Sequence, residues 1–399
     1  MKKLLVLGAG FLQSFLIKKA KTMGYYVLAI DKKPSSEGFQ YADESAVVDI
    51  VDPLACLNYA KTKAIDGVLT AATDYGVLSA AYVSEELQLP GIPYKTAQLV
   101  KNKYDFRRVL FDKQIDDITQ CYLLENEHDI QELIKRIKYP VIVKPCDGSG
   151  SKGISKVSER EELVEAFNYA LDSSISRKVI VEDFIDGKEY GVESFIYNGD
   201  IHVLSVMGKH MTPAPNYAEL GHTIPSGLPI DFENKIKCVV ANAIDALGIS
   251  FGAVNMDILV TSSGKVCIID IGARMGGNLI GSHIIPFGTG FDYMGSLIKS
   301  AVNDLTSFKS QKTPTMIATR LLALNPGKIK ILPAFKRIEE KHGVTILHHM
   351  RIGDVIHPYR TNLDGLGYVY ALGDSLEDVE ERSEKAKIEI DTTTVREIL

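Results

Sequence analysis

The stretch VCIIDIGARMGGN, Val266 to Asn278, sets Asp270 near the end of an apolar run, Arg274 four residues later and the pair Gly276-Gly277 just beyond. Thirteen residues upstream of Asp270, the run Ala253 to Val260 carries Asp257. The intervening Thr261-Ser262-Ser263-Gly264-Lys265 has the length and residue types of a hairpin loop, so the two aspartates can lie side by side on neighbouring strands. Two hard carboxylates on a rigid sheet, with coordination positions left over for phosphate oxygens, are the outline of a magnesium site that carries a nucleotide.

Further residues suit such a ligand. Lys144 ends the apolar strand YPVIVKP and is followed by the polar run Cys146 to Gly153, with Ser149 and Ser151 in it. That loop leads to a returning strand, ISKV, and not to a helix, so it is not a Walker loop, but its mobile backbone N–H groups can fold over a polyphosphate. Lys144 then supplies charge to phosphates, the alternative being a lysine that snorkels to solvent. In VIVEDFIDGKEYGVESF, Glu182 closes a strand and Glu189 follows a turn. These carboxylates can accept from an adenine amino group and from ribose hydroxyls, or they are simply two solvated acids.

The elements that must hold these groups follow from periodicity. In the first hundred residues, LLVLGAG, YYVLAID, SAVVDI and DGVLTA alternate with helical patterns, the first from Phe11 to Met23, which means a parallel sheet with crossover helices. Gly8-Ala9-Gly10 turns strand into helix, but the third glycine of a dinucleotide fingerprint would fall at Gln13, which argues against a nicotinamide site. Helices are expected at Thr96 to Lys113, with Asn102, Lys103 and Asp105 inside it, at Glu159 to Leu171, and at Leu376 to Lys387. Turn residues at Thr306 to Pro314 mark a boundary before a smaller α+β region. With 399 residues, 45% hydrophobic and 24% charged, the chain suits a soluble protein of two or three domains. A net charge of −6 advertises no nucleic-acid surface, and no run is long enough to cross a membrane. Five scattered cysteines without ligand spacing and an N-terminus without a cleavage site point to the cytoplasm.

In order and spacing, Asn102-Lys103, YPVIVKPCDGSGSKG, VEDFIDGKEYGVE and MDIL…IIDIGARMGG resemble the ATP-grasp superfamily over roughly Met1 to Asp304. The resemblance implies a fold of mixed α/β and α+β type: a Rossmann-like domain at 1–97, an ATP-grasp domain at 98–311 with a glycine-rich clamp at about 115–180, and an α+β cap at 312–399. It implies MgATP, with Mn²⁺ as a substitute. Lys103, Lys144, Ser149, Ser151 and Gly153 would meet phosphates, Glu182 with the backbone of Asp183 to Ile185 would hold adenine, and Glu189 would hold ribose. Asp257 and Asp270 would bind the metal, and Lys144 and Arg274 would act on the transferring phosphoryl group, the rival role for Arg274 being a structural salt bridge. The family's second metal strand usually reads Glu-x-Asn-x-Arg, whereas Gly272 stands here for the asparagine, leaving either a looser metal or a water in the gap.

Glu219-x-Gly-His222 with Arg274-x-Gly276-Gly277 looks like the L-amino-acid ligase branch, in which these segments lie near substrate and acyl phosphate. His222 is either a substrate contact or a hydrogen-bonded loop histidine. The implied activity joins a small carboxylate to an amine through an acyl phosphate, with a homodimer as the expected assembly and no nucleic-acid or membrane partner. The alternatives are a purine-pathway ligase resembling phosphoribosylglycinamide synthetase, a carbamoyl-phosphate-synthase-like protein, and a nucleotide-binding protein without turnover.

Overall fold

The computed structural model describes residues 1–147, 153–213, 217–310 and 312–397. Ser149 and Ser151 therefore lie outside the described residues. The N-terminal strands form a parallel sheet in the order Glu44–Val47, Tyr26–Asp31, Lys3–Leu7, Gly67–Thr70. Leu4 to Leu7 are wholly buried, as befits a central strand covered on both faces. Gly8 turns at φ +97°, and Asp31 accepts the Ala9 N–H at 2.7 Å. Gln13 occupies the ground that a third fingerprint glycine would leave open. Its amide donates to the Ala71 carbonyl at 2.8 Å, and a Cβ on Gly10 would meet its Oε1 at 2.9 Å.

A second sheet, antiparallel throughout, runs Cys121–Leu124, Val179–Asp183, Val141–Pro145, Ser155–Val157. Val143 pairs with Val181, and both enter a core with Phe167 of the helix Leu163–Ser173. Strand alternation then turns Lys144 and Glu182 to the opposite face. The expected helix start at Glu159 is a 3₁₀ turn, Arg160–Glu162, before that helix.

The eight-stranded sheet is also antiparallel: Val266–Gly272, Gly252–Val260, Lys188–Tyr197, Asp200–Met211, Glu219–Ile224, Met316–Leu321, Gly367–Gly373, Val344–His348. The C-terminal strands thus continue the sheet that carries the aspartates, through Thr223 paired with Ala318. Helix Ile230–Ala246 buries Ile236, Val240 and Ile244 in the core that also takes Val254 and Met256 of this sheet, while Phe195 and Met207 share a core with Leu4 and Leu16 of the N-terminal part. The single helix expected at Thr96 to Lys113 is two, Tyr94–Lys101 and Lys103–Asp112. Asn102 breaks it because its side chain accepts from the N–H groups of Tyr104 and Asp105, a cap that competes with helix continuation. The C-terminal helix runs on from Leu376 to Thr393, beyond the Lys387 expected. No helix among the described residues is long and apolar enough to cross a membrane.

Candidate functional site

The two antiparallel sheets above, with Phe11 to Gln13 and Ala72 to Tyr75 of the N-terminal part, line one cleft of about 840 Å³. At one end the Asn102 cap starts a helix whose first residue, Lys103, reaches Asp270 Oδ1 at 2.5 Å. One turn later the wholly buried Arg107 donates from Nε to Glu182 at 2.9 Å, from Nη1 to Asp116 at 2.7 Å, and from Nη2 to the Ile268 carbonyl. Lys144 pairs with the same Glu182 and donates to the Ile269 carbonyl at 3.2 Å. Burial works against ionising Glu182, but Lys144 and Arg107 outweigh it and hold the carboxyl below its ordinary range. Likewise burial opposes the charge on Lys103, and Asp270 more than restores it, leaving the ammonium raised.

Glu182 therefore has its oxygens engaged by two cations, and is an anchor for Lys144 more than an open acceptor. The Asp183 side chain ties Thr119 and Gln120, with Thr119 N–H at 2.5 Å, while Asp183 to Ile185 run along the cleft wall. Gly153, at φ +78°, packs on the helix end, where a Cβ would lie 2.6 Å from that of Ser173.

In the centre of the cleft the hairpin register pairs Asp257 with Asp270, and the loop closes by Gly264 N–H to Thr261 O at 2.9 Å. Each aspartate meets an ammonium through Oδ1: Asp270 that of Lys103, Asp257 that of Lys209 at 2.8 Å. Lys209 also pairs with Glu189 and lies 3.7 Å from Glu219. Burial pushes the Glu189 carboxyl up, against the pull of Lys209 and with Asp257 and Glu219 adding to the push. Among the described residues no three His, Cys, Asp or Glu side chains form a ready-made metal cluster. The donor set instead fits a hard divalent ion that keeps most of its coordination for phosphate and water, with Gly272 adding no side chain.

Arg274 grips Asp74 in bidentate fashion, at 2.8 and 3.1 Å, and its Nη1 reaches the Met275 carbonyl. Burial alone would raise the Asp74 carboxyl, but the Arg274 charge and hydrogen bonds bring it down to about 2. Gly276 donates its N–H to Glu193 at 3.1 Å, and a Cβ there would sit 2.4 Å from that carboxylate, so the glycine is required by packing. Gly277 faces the cleft with only ordinary contacts to Leu12 and Ala72. Asn278 donates to Glu219 at 2.5 Å and accepts from the Tyr368 hydroxyl at 2.9 Å. His222 is buried, with Nδ1 3.3 Å from Glu219 yet off hydrogen-bond geometry, and burial pulls its imidazole down towards neutrality.

The sequence reading missed Arg107, Lys209, Glu193 and Asp74. Lys209 alone carried a local signal, a lysine inside the long apolar strand Asp200–Met211. The others depend on partners distant in the chain.

Comparison with known proteins bears on this geometry. Residues 137–282 match the ATP-grasp domain model, and residues 320–395 match L-amino acid ligase C-terminal domain 2. A formate-dependent phosphoribosylglycinamide formyltransferase of Sulfurisphaera tokodaii is 25% identical over 96% of each chain. Among solved structures, an L-amino acid ligase from Bacillus licheniformis aligns with a TM-score of 0.84 at 22% identity over 98% of each chain. A phosphoribosylglycinamide synthetase from Anaerococcus prevotii aligns at 0.80 and 23% over the full length of both. At these identities the structural likeness speaks for the fold.

Proposed function

We propose that this chain, which belongs to the ATP-grasp carboxylate–amine ligases, joins a small carboxylic acid to an amino-acid-type amine. The observation that carries the reading is the run of Lys103, Lys144, Asp257, Asp270 and Arg274 along one cleft, cations beside a cross-strand pair of carboxylates. Phosphoryl transfer asks a protein chiefly for positioning and charge neutralisation, and this set offers both without a nucleophile of its own.

In this reading Lys103 and Lys144 hold phosphates of ATP, Glu182 anchors Lys144, the backbone of Asp183 to Ile185 meets adenine, and Glu189 takes ribose. Asp257 and Asp270 would hold Mg²⁺, or Mn²⁺, which when bound supplies charge neutralisation at the phosphates. A substrate carboxylate oxygen attacks the γ-phosphorus, the bond from phosphorus to the β,γ-bridging oxygen breaks, and ADP leaves with that oxygen and its electron pair as the acyl phosphate forms. The amine nitrogen then attacks the acyl carbon, phosphate leaves with the C–O electron pair, and the nitrogen gives up a proton. Arg274 keeps N–H donors beyond those on Asp74 for the transferring group. Gly277 leaves room beside it, and Gly276 shapes the turn through Glu193.

Glu219, Asn278 and His222 would meet substrate. Around them the wall includes Phe11, Leu12, His349 and Leu363, and the lysine that reaches Glu219, Lys209, is already shared among carboxylates. A ribose phosphate would call for unshared cations, so this end favours an amine over the purine-pathway reading. The domain limits at 97/98 and 311/312, a cytoplasmic location and a homodimer belong to the same proposal. Pairwise screening of amino acids and small carboxylic acids for ADP and phosphate release tests it: release requiring both partners supports a ligase. Release only with a phosphorylated ribosylamine would favour the purine reading, and MgATP binding without turnover on any pair would favour a regulatory protein.

A further inference from the structure

The ammonium of Lys209 is one of the least accessible charges in the molecule, with 3% of its side chain exposed, and it sits among three carboxylates from three other strands. Lys209 lies on Asp200–Met211, Glu189 on the adjacent strand, Asp257 one strand further, and Glu219 on the strand at the other side. Reaching Asp257 means crossing the strand Lys188–Tyr197, roughly two strand spacings of about 4.8 Å. The register explains how: Asp257 is paired with Gly191, whose missing side chain leaves the sheet face bare. A Cβ at Gly191 would already lie 3.1 Å from the Met207 methyl and 3.4 Å from His222 Nε2.

We infer that Lys209 is a positioning residue that acts as an internal counter-ion at the metal aspartate, competing with a divalent cation for Asp257 until nucleotide phosphates add their charge. The inference rests on the ligase reading only in taking Asp257 as a metal ligand. One ammonium against three carboxylates leaves a cluster that is acidic yet tied, with Oδ1 of Asp257 already used. A free cation must displace or share that contact and gains only the remaining negative charge. The cation arriving with a polyphosphate brings its own oxygen ligands and needs less from the protein. Lys209 also joins the ribose-side Glu189 to Asp257, so its replacement disturbs both at once.

The test is Mn²⁺ binding without nucleotide, read by electron paramagnetic resonance of the free ion, on the full chain. Lys209→Met should bind Mn²⁺ on the order of tenfold more tightly than wild type, about 1.4 kcal/mol. Asp257→Asn added to it should abolish the gain, and Lys209→Arg should restore weak binding. Because Lys209→Met leaves three buried carboxylates without a cation and could fail to fold, Lys209→Met with Glu189→Gln is the second variant. It removes one charge of each sign, so the net charge of the cluster is unchanged, and it should still bind Mn²⁺ more tightly than wild type. Affinity equal to wild type in the folded variants would overturn the counter-ion role, as would a gain that survives Asp257→Asn. MgATP binding by wild type, measured by calorimetry alongside, reports on the ligase reading separately: its absence would sink that reading, while the Mn²⁺ titrations alone decide Lys209.

Discussion

Replacing Glu193 by glutamine should change how the stability of this protein depends on pH. Glu193 is completely buried and accepts three hydrogen bonds: Asn255 at 2.7 Å and Gly276 N–H at 3.1 Å on Oε1, and the Tyr293 hydroxyl at 2.5 Å on Oε2. Burial pushes its carboxyl from the ordinary 4.5 up to about 8, although Tyr293, Asn255 and Arg274 pull the other way. The folded state therefore prefers the protonated acid. Its contribution is complete below the unfolded value near 4.5 and is lost as pH rises through about 8. At 1.36 kcal/mol per tenfold change in proton affinity, the loss approaches roughly 5 kcal/mol. Glutamine imitates the protonated acid: its carbonyl can take Asn255 and Gly276, and its amide can donate to the Tyr293 oxygen. Tyr293 can then keep its hydroxyl on the Ser194 carbonyl, now 3.0 Å away. Urea unfolding of both proteins from pH 5 to 8 is the assay. Wild type should fall progressively against Glu193→Gln over that range and run parallel to it above. Parallel curves throughout would refute the argument and leave Glu193 as an ionised acceptor stabilised by its three donors.

Asp270→Asn should lower turnover by about a hundredfold, roughly 3 kcal/mol of barrier, with the fold intact by circular dichroism; wild-type turnover would remove Asp270 from the metal site. Arg274→Lys should slow the chemical step while ATP affinity holds, because lysine loses the fork; the bidentate grip on Asp74 gives the structural rival a concrete form, and a matching loss of stability with a normal single-turnover rate would favour it. MgATP should bind in calorimetry where NADH does not, since Gln13 fills the dinucleotide turn, and tight NADH binding would contradict this.

Where partners are close in sequence, the chain was readable. The pairing of Asp257 with Asp270 follows from two strands, a five-residue turn and a period of two, and the register delivers it. The pairing of Lys144 with Glu182 was not among the expectations, although the alternation that buries Val143 and Val181 turns both side chains to the other face. What escaped were pairings set by tertiary packing. Arg274 meets Asp74 two hundred residues away, Arg107 joins Glu182 to Ile268, and Lys209 crosses a strand that is bare only because Gly191 is there. The helix expected across Asn102 failed for a local reason: a capping side chain outcompetes the helical hydrogen bond, and an apolar periodicity does not register that competition.

These long-range pairings alter what the site residues can do. Lys103 is held by Asp270, Lys144 by Glu182, Lys209 by Glu189 and Asp257, and Arg274 by Asp74. The cations that sequence offers to phosphates, Lys103, Lys144 and Arg274, are thus each matched to a carboxylate, and a polyphosphate must compete with an acid for each one. Those acids differ in kind. Asp74 and Glu182 are buried or fork-bound partners that can orient Arg274 and Lys144 while donors remain for a ligand, whereas Asp257 and Asp270 are the pair proposed to hold the divalent ion. On the proposed function, a cation on that second pair would release Lys103 and Lys209 from their oxygens as it brings phosphate near them. Charge exchange of this sort would couple metal to nucleotide, and it would make the pairing of lysines with aspartates, more than their number, the property on which the site depends.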